Sequence, residues 1–267
     1  AAVVGNTVFL PVGESKNRLF AFDVSDKAKP CIQWVHDGER AFRTSTGYGV
    51  RKDGVPIIMV GDIGGWTTAM DARNGQKLWI TKTGLFDAST STATPVLVGD
   101  NVIAPSSQYE IMMAGQDHHV CCKLHGGVSA VNAVTGKIVW QTGTMEDAKP
   151  MSDRGDGQML WGPAGAPVWN SPSIDLKRNR LYVGTGEANS APAHPNTDAL
   201  MSFDLTTGKI LWSDDNTLTP KDRNPQMSLV WMDEPQNLAA LLNASGELVY
   251  VKLTPEKREE LARWQII

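Results

Sequence analysis

The chain has 267 residues, 41% of them hydrophobic and 20% charged, and a formal net charge of -4. That length suits one large all-β domain or two ordinary domains, and the composition is that of a soluble globular protein. The negative balance argues against nucleic acid or an acidic membrane surface as the main partner, and no apolar run is long enough to span a bilayer.

In chain order, residues 1–10 lack the basic segment of a signal peptide and read as a strand, so an exported form would carry a signal outside these residues. A strand-like run, Leu19–Phe22, leads into Asp23, and Trp34 follows after a loose turn with an insertion. Strand Ile57–Val60 comes next, then the phrase Asp71-Ala-Arg-Asn-Gly75-Gln-Lys-Leu-Trp79. Strands Pro95–Val98 and Asn101–Ala104 precede a second copy, Asn132-Ala-Val-Thr-Gly136-Lys-Ile-Val-Trp140. After strand Leu181–Val183, the run Leu200–Phe203 opens a third, Asp204-Leu-Thr-Thr-Gly208-Lys-Ile-Leu-Trp212. Strand Leu248–Val251 is followed by Thr254-Pro-Glu-Lys-Arg-Glu-Glu-Leu-Ala-Arg. Its Thr cap, first-turn Pro and early acids predict a short helix over 255–262. A divergent fifth copy of the phrase is expected to end at Trp264.

The phrase encodes a β-hairpin. Asp or Asn ends one strand and bonds its own turn backbone, Gly takes the positive-φ position, and the Lys-x-x-Trp run starts the return strand. Four such strands cannot bury both faces alone, so copies must stack and each Trp must dock on a neighbour. Nine Trp and 25 Gly against four Tyr fit many short strands with tight turns. The expected fold is therefore all-β, a β-propeller of four-stranded blades. It forms one domain over 1–267 with no linker, about five blade-like units, and incomplete first and last units. An ordinary sandwich with coincidental turns is the alternative, and three near-identical phrases stand against it.

Cysteine is sparse: Cys31, Cys121 and Cys122. The adjacent pair cannot clip distant segments together. It can form a vicinal disulfide or stay reduced as two small buried side chains.

The repeated phrase resembles the tryptophan-docking motif of the pyrroloquinoline-quinone (PQQ) dehydrogenases, whose family fold is an eight-bladed propeller. Three further blocks look like polyvinyl-alcohol dehydrogenases. One is Ser106-Ser107-Gln-Tyr-Glu110 with Cys121-Cys122-Lys-Leu-His125-Gly-Gly; the others are Gly162-Pro-Ala-Gly-Ala-Pro-Val-Trp169 and Gly184-Thr-Gly-Glu187-Ala-Asn189-Ser. The resemblance covers roughly Val3 to Val251, and is weak beyond Asp222.

This resemblance implies oxidation of secondary alcohols, polymeric ones included, with PQQ and calcium as cofactors. Trp169 matches the family's stacking floor, and Cys121–Cys122 the vicinal disulfide covering the ring's other face. Arg43 resembles the arginine gripping a cofactor carboxylate, a task for a planar fork. Ser91 and Thr92 stand where hydroxyl donors to the ring acids are expected. Glu110 and Glu187 look like calcium ligands, with Asn189 adding an amide oxygen, because calcium takes hard oxygens. The reduced-base loop reads Pro220-Lys-Asp222-Arg-Asn224-Pro and lacks the family's aromatic residue; Asp222 is the expected base, with Asn224 beside it. Two other departures are His125, where the family carries Arg, and Ala244, where it carries Lys. No Cys-x-x-Cys-His occurs, so the expected electron acceptor is a separate cytochrome c, and the expected location is periplasmic or secreted. The competing reading is a propeller that kept the blade pattern and serves as a scaffold or binding module. An outer-membrane assembly lipoprotein shares the repeat but gives no reason for the cysteine pair or the Gly-Thr-Gly-Glu block.

Overall fold

The computed structural model describes residues 1–13, 17–116, 118–214, 227–243 and 245–266. The chain forms two compact units, residues 1–107 with 127–141, and residues 108–126 with 142–267.

The first unit is built from antiparallel meanders. One sheet runs Ala2–Val4, Thr7–Val12, Arg18–Asp23, Cys31–Asp37; the next runs Gly47–Val50, Pro56–Gly61, Trp66–Asp71, Lys77–Lys82. A third runs Val96–Val98, Asn101–Gln108, Gly127–Asn132, Ile138–Gly143, with Ser89–Thr90 added beside its second strand. Strand alternation explains why Ile57–Val60 is apolar throughout. Ile58 and Val60 face one core with Phe9, Leu19 and Trp34, while Ile57 and Met59 face another with Trp79, Val102 and Val131.

The second unit holds two more four-stranded meanders. These are Ser173–Asp175, Arg180–Gly184, Leu200–Asp204, Ile210–Asp214, and Met227–Asp233, Leu238–Asn243, Glu247–Leu253, Arg258–Gln265. Tyr182, Leu200 and Trp212 pack there against Ala239, Leu241, Val249 and Val251.

The phrase folds as its chemistry requires. Asp71, Asn132 and Asp204 accept turn N–H groups on Oδ1, from Arg73, Thr135 and Thr207 respectively. Gly75, Gly136 and Gly208 take φ of 73°, 70° and 73°. A Cβ on Gly75 would lie 2.5 Å from the Trp34 ring, so the docking ring needs glycine as well. Trp34 Nε1 donates to the Ala72 carbonyl at 3.1 Å, Trp79 to Ala133 at 3.0 Å, and Trp212 to Thr254 at 3.2 Å. In all three cases the acceptor belongs to the sheet that follows.

Three expectations are corrected. The first and last sheets are complete, each with four strands. Residues 258–265 form a strand rather than a helix, paired along Glu247–Leu253. The Thr254 hydroxyl does accept the Lys257 N–H at 3.0 Å, but it closes a hairpin turn instead of capping a helix. Nonlocal pairing, helped by Arg258 against Asp214 and Arg263 against Glu247, outweighs helix propensity. The third concerns Trp264. In three earlier hairpins a bulge follows the docking Trp pair: Trp34 opposite Ala21, Trp79 opposite Ala69, Trp212 opposite Ser202. The last hairpin has the same bulge, but the residue there is Ala262, opposite Tyr250. Trp264 lies two residues further on and is 50% exposed.

Candidate cofactor and metal site

Three backbone segments of the second unit lie side by side. Gly165 donates to the Leu124 carbonyl and accepts from Gly126, both at 3.0 Å. On its other side Ala164–Gly165 pairs with Ala188–Ser190, and Ala166 donates to Glu187 at 2.9 Å. Gly165 has φ of 126°, and a Cβ there would lie 2.3 Å from the Glu187 carbonyl, so only glycine permits this spacing. The ladder brings together Cys121, Cys122, His125, Glu187 and Asn189.

Cys121 and Cys122 are joined in a disulfide, and Cys31 is an exposed free thiol. Cys122 is buried, and Cys121 Sγ lies 3.8 Å from the Asn189 carbonyl. Beside it, Glu187 Oε2, both side-chain polar atoms of Asn189 and Ser190 Oγ are buried without a hydrogen-bond partner among the described residues. Burial pushes the Glu187 carboxyl above its ordinary value. Buried polar atoms are normally satisfied, so the orphan atoms of Glu187 and Asn189 leave room for a polar guest. Oxygens from the Glu187 carboxylate and the Asn189 amide are of the hard kind that calcium takes. Ser190, the next residue of the strand, alternates to the other side, and its Oγ lies beside Gly162.

Glu110 carries hydrogen bonds of its own. Its buried carboxylate accepts from Lys123 N at 2.7 Å and Leu124 N at 2.6 Å on Oε2, and Oε1 lies 3.3 Å from His119 Nε2. Nothing in the spacing of these residues announces such a contact. Among the described residues no group of three or more His, Cys, Asp or Glu side chains gathers as a metal site.

His125 is buried with Nδ1 2.8 Å from the Gly126 carbonyl and Nε2 3.1 Å from Asp147 Oδ1. Asp147 stands 22 residues from His125, and no local pattern announces the contact. Trp169 is half-buried, two residues beyond Pro167, whose carbonyl accepts from Gly186 at 2.8 Å. Nearby, Lys123 Nζ sits 4.2 Å from the centre of the Trp161 ring, a cation–π contact.

Arg43, Ser91 and Thr92 lie in the first unit. Arg43 N donates to the Gly61 carbonyl at 2.9 Å. Ser91 is buried with no partner for its hydroxyl among the described residues, and Thr92 Oγ1 is 3.2 Å from Ser107 Oγ. Asp222, Asn224 and Ala244 lie outside the described residues.

Comparison with known proteins gives the class. The PQQ family model described as "glucose/ethanol/alcohol dehydrogenase, beta-propeller domain" matches residues 81–214, half of the chain. The chain belongs to this family of β-propeller quinoprotein dehydrogenases. It is 31% identical over 216 residues to a polyvinylalcohol dehydrogenase of a Pseudomonas species, covering 79% of this chain and 33% of that protein. It is 29% identical over 217 residues to a polyvinylalcohol dehydrogenase of a Sphingopyxis species, covering 80% and 32%. The chain thus spans about a third of the length of the curated relatives it matches. A solved europium-containing methanol dehydrogenase shares the fold, with a TM-score of 0.69 at 20% identity over 97% of this chain and 49% of that one.

Proposed function

We propose that this chain carries a PQQ- and calcium-dependent site for oxidising alcohols, with secondary alcohols and polymers bearing them as substrates. The observation that supports it best is the pair of residues with partnerless buried side-chain atoms, Glu187 and Asn189, the latter beside the Cys121–Cys122 disulfide. When bound, the cofactor and cation supply a hydride-accepting quinone and a Lewis acid.

The chain's own residues do the rest. Glu187 would hold the cation, whose charge would offset the penalty of burying the carboxylate. Asn189 contributes an amide oxygen. The disulfide offers a compact apolar face that excludes water, and Trp169 offers the flat ring for the opposite face. The Arg43 guanidinium and the hydroxyls of Ser91 and Thr92 are the expected partners of the cofactor acids. Asp222, with Asn224, is the expected base for the alcohol proton. Electrons would pass to a separate cytochrome c, in the periplasm or outside the cell. No helix among the described residues is long and apolar enough to cross a membrane.

A second reading, a binding module without turnover, draws on His125. Both of its ring nitrogens are already engaged, so it offers less to a ligand than the arginine found there in the family. The test is reconstitution with PQQ and calcium chloride, followed by dye reduction with 2-propanol or a short polyvinyl alcohol. Alcohol-dependent reduction supports the dehydrogenase. Cofactor binding without reduction supports the module.

A further inference from the structure

We propose that Glu110 is a positioning residue that holds the Cys121–Cys122 disulfide in place, rather than a metal ligand. The role given to the disulfide rests on the functional reading above; the contacts of Glu110 do not.

Glu110 Oε2 accepts from the peptide N–H groups of Lys123 and Leu124, the first two after the cystine. Its Oε1 faces His119, two residues before it. One buried carboxylate therefore ties down the chain on both sides of the disulfide. The carboxylate is itself anchored, because the Glu110 N–H donates to Gln108 Oε1 at 2.7 Å. The fixed loop then passes the constraint on: the Leu124 carbonyl accepts from Gly165 N, and Gly165 pairs with Ala188 next to Asn189. Hydrogen bonds to an ionised carboxylate are the strong kind, and turning Glu110 toward a cation would forfeit two of them. Glu187 is the opposite case, with a buried oxygen that no described donor reaches. The two acids divide the labour: Glu187 faces the guest and Glu110 holds the cover.

The experiment uses disulfide-intact protein in four forms: unmodified, Glu110→Gln, Glu110→Ala and Glu187→Gln. Amide hydrogen exchange is read at Lys123 and Leu124, and cystine reduction by a phosphine is followed by thiol labelling. Removing both acceptor bonds in Glu110→Ala should speed exchange and reduction by about tenfold or more. The amide oxygen of Glu110→Gln can take the place of Oε2, so both rates should return to within about threefold of the unmodified protein. Thermal shifts with calcium chloride or lanthanum chloride alone should survive in Glu110→Gln and vanish in Glu187→Gln. Unchanged exchange and reduction in Glu110→Ala would overturn the proposal. So would loss of the metal shift in Glu110→Gln with its exchange unaltered. Absence of any metal shift in the unmodified protein would count against the functional reading, while the exchange and reduction rates would still decide the role of Glu110.

Discussion

Trp79 donates its indole N–H to the carbonyl of Ala133, 54 residues further along the chain, and both residues are buried. Trp79→Phe keeps a ring but leaves that carbonyl without its donor, so about 1–3 kcal/mol of stability should be lost. Trp79→Ala should lose about 3–5 kcal/mol, because a cavity is added. Trp264→Phe should stay within about 0.5 kcal/mol of the unmodified protein, since Trp264 is off the docking register. Urea denaturation of the three variants checks this. Equal losses at Trp79 and Trp264 would rule out the docking argument.

Burial pushes the Tyr182 phenol up to about 12 from its ordinary 10.0, with the Asp175 carboxylate adding to the effect. The folded state therefore keeps a proton that the unfolded state gives up. Stability is unaffected by this group below pH 10.0 and falls as pH rises from there toward about 12. Tyr182→Phe should flatten that alkaline fall, while leaving stability at neutral pH within about 1 kcal/mol of the unmodified protein. Denaturation curves between neutral pH and the alkaline limit decide it; an unchanged alkaline slope would show that the phenol is not responsible.

Gly165→Ala should push the Gly165 strand away from Glu187, whose carbonyl would sit 2.3 Å from the new methyl. A loss of about 2 kcal/mol or more is expected, together with a weaker calcium-induced thermal shift. Gly155→Ala is the control: φ is also positive, at 102°, but the surrounding space is open. Its loss should be about 1 kcal/mol, with the calcium response intact.

Thiol titration of protein prepared without reductant should find Cys31 alone, in native and in denaturing buffer. Reduction should bring the count to the three cysteines of the chain. Three thiols before reduction would remove the cover from the proposed site.

The parts legible in the sequence are those written locally. Asp71 to Gly75, Asn132 to Gly136 and Asp204 to Gly208 each specify a turn within five residues, and the Trp four positions on follows from strand geometry. The last hairpin is not legible locally, because Thr254-Pro255-Glu256 signals a helix start and a Thr-led turn equally well; only pairing with Glu247–Leu253 separates them. Trp264 misled for a related reason, since register is fixed by a bulge at Tyr250 that no residue type announces. At the site, the cysteine pair and the Glu187 block carried a pattern. The employment of Glu110 did not, because its partners are backbone N–H groups, which every residue but proline possesses.

Docking onto the sheet that follows also sets a clock on synthesis. Trp34 waits 38 residues for Ala72, Trp79 waits 54 for Ala133, and Trp212 waits 42 for Thr254. At ribosomal speeds of about 5–20 residues per second, each indole goes without its acceptor for roughly 2–11 s. During that interval the newest sheet presents an uncovered aromatic ring to the cell, which is when a chaperone would find it. Ala262 breaks the series: the sheet of Met227–Asp233 to Arg258–Gln265 leaves no ring waiting at that position.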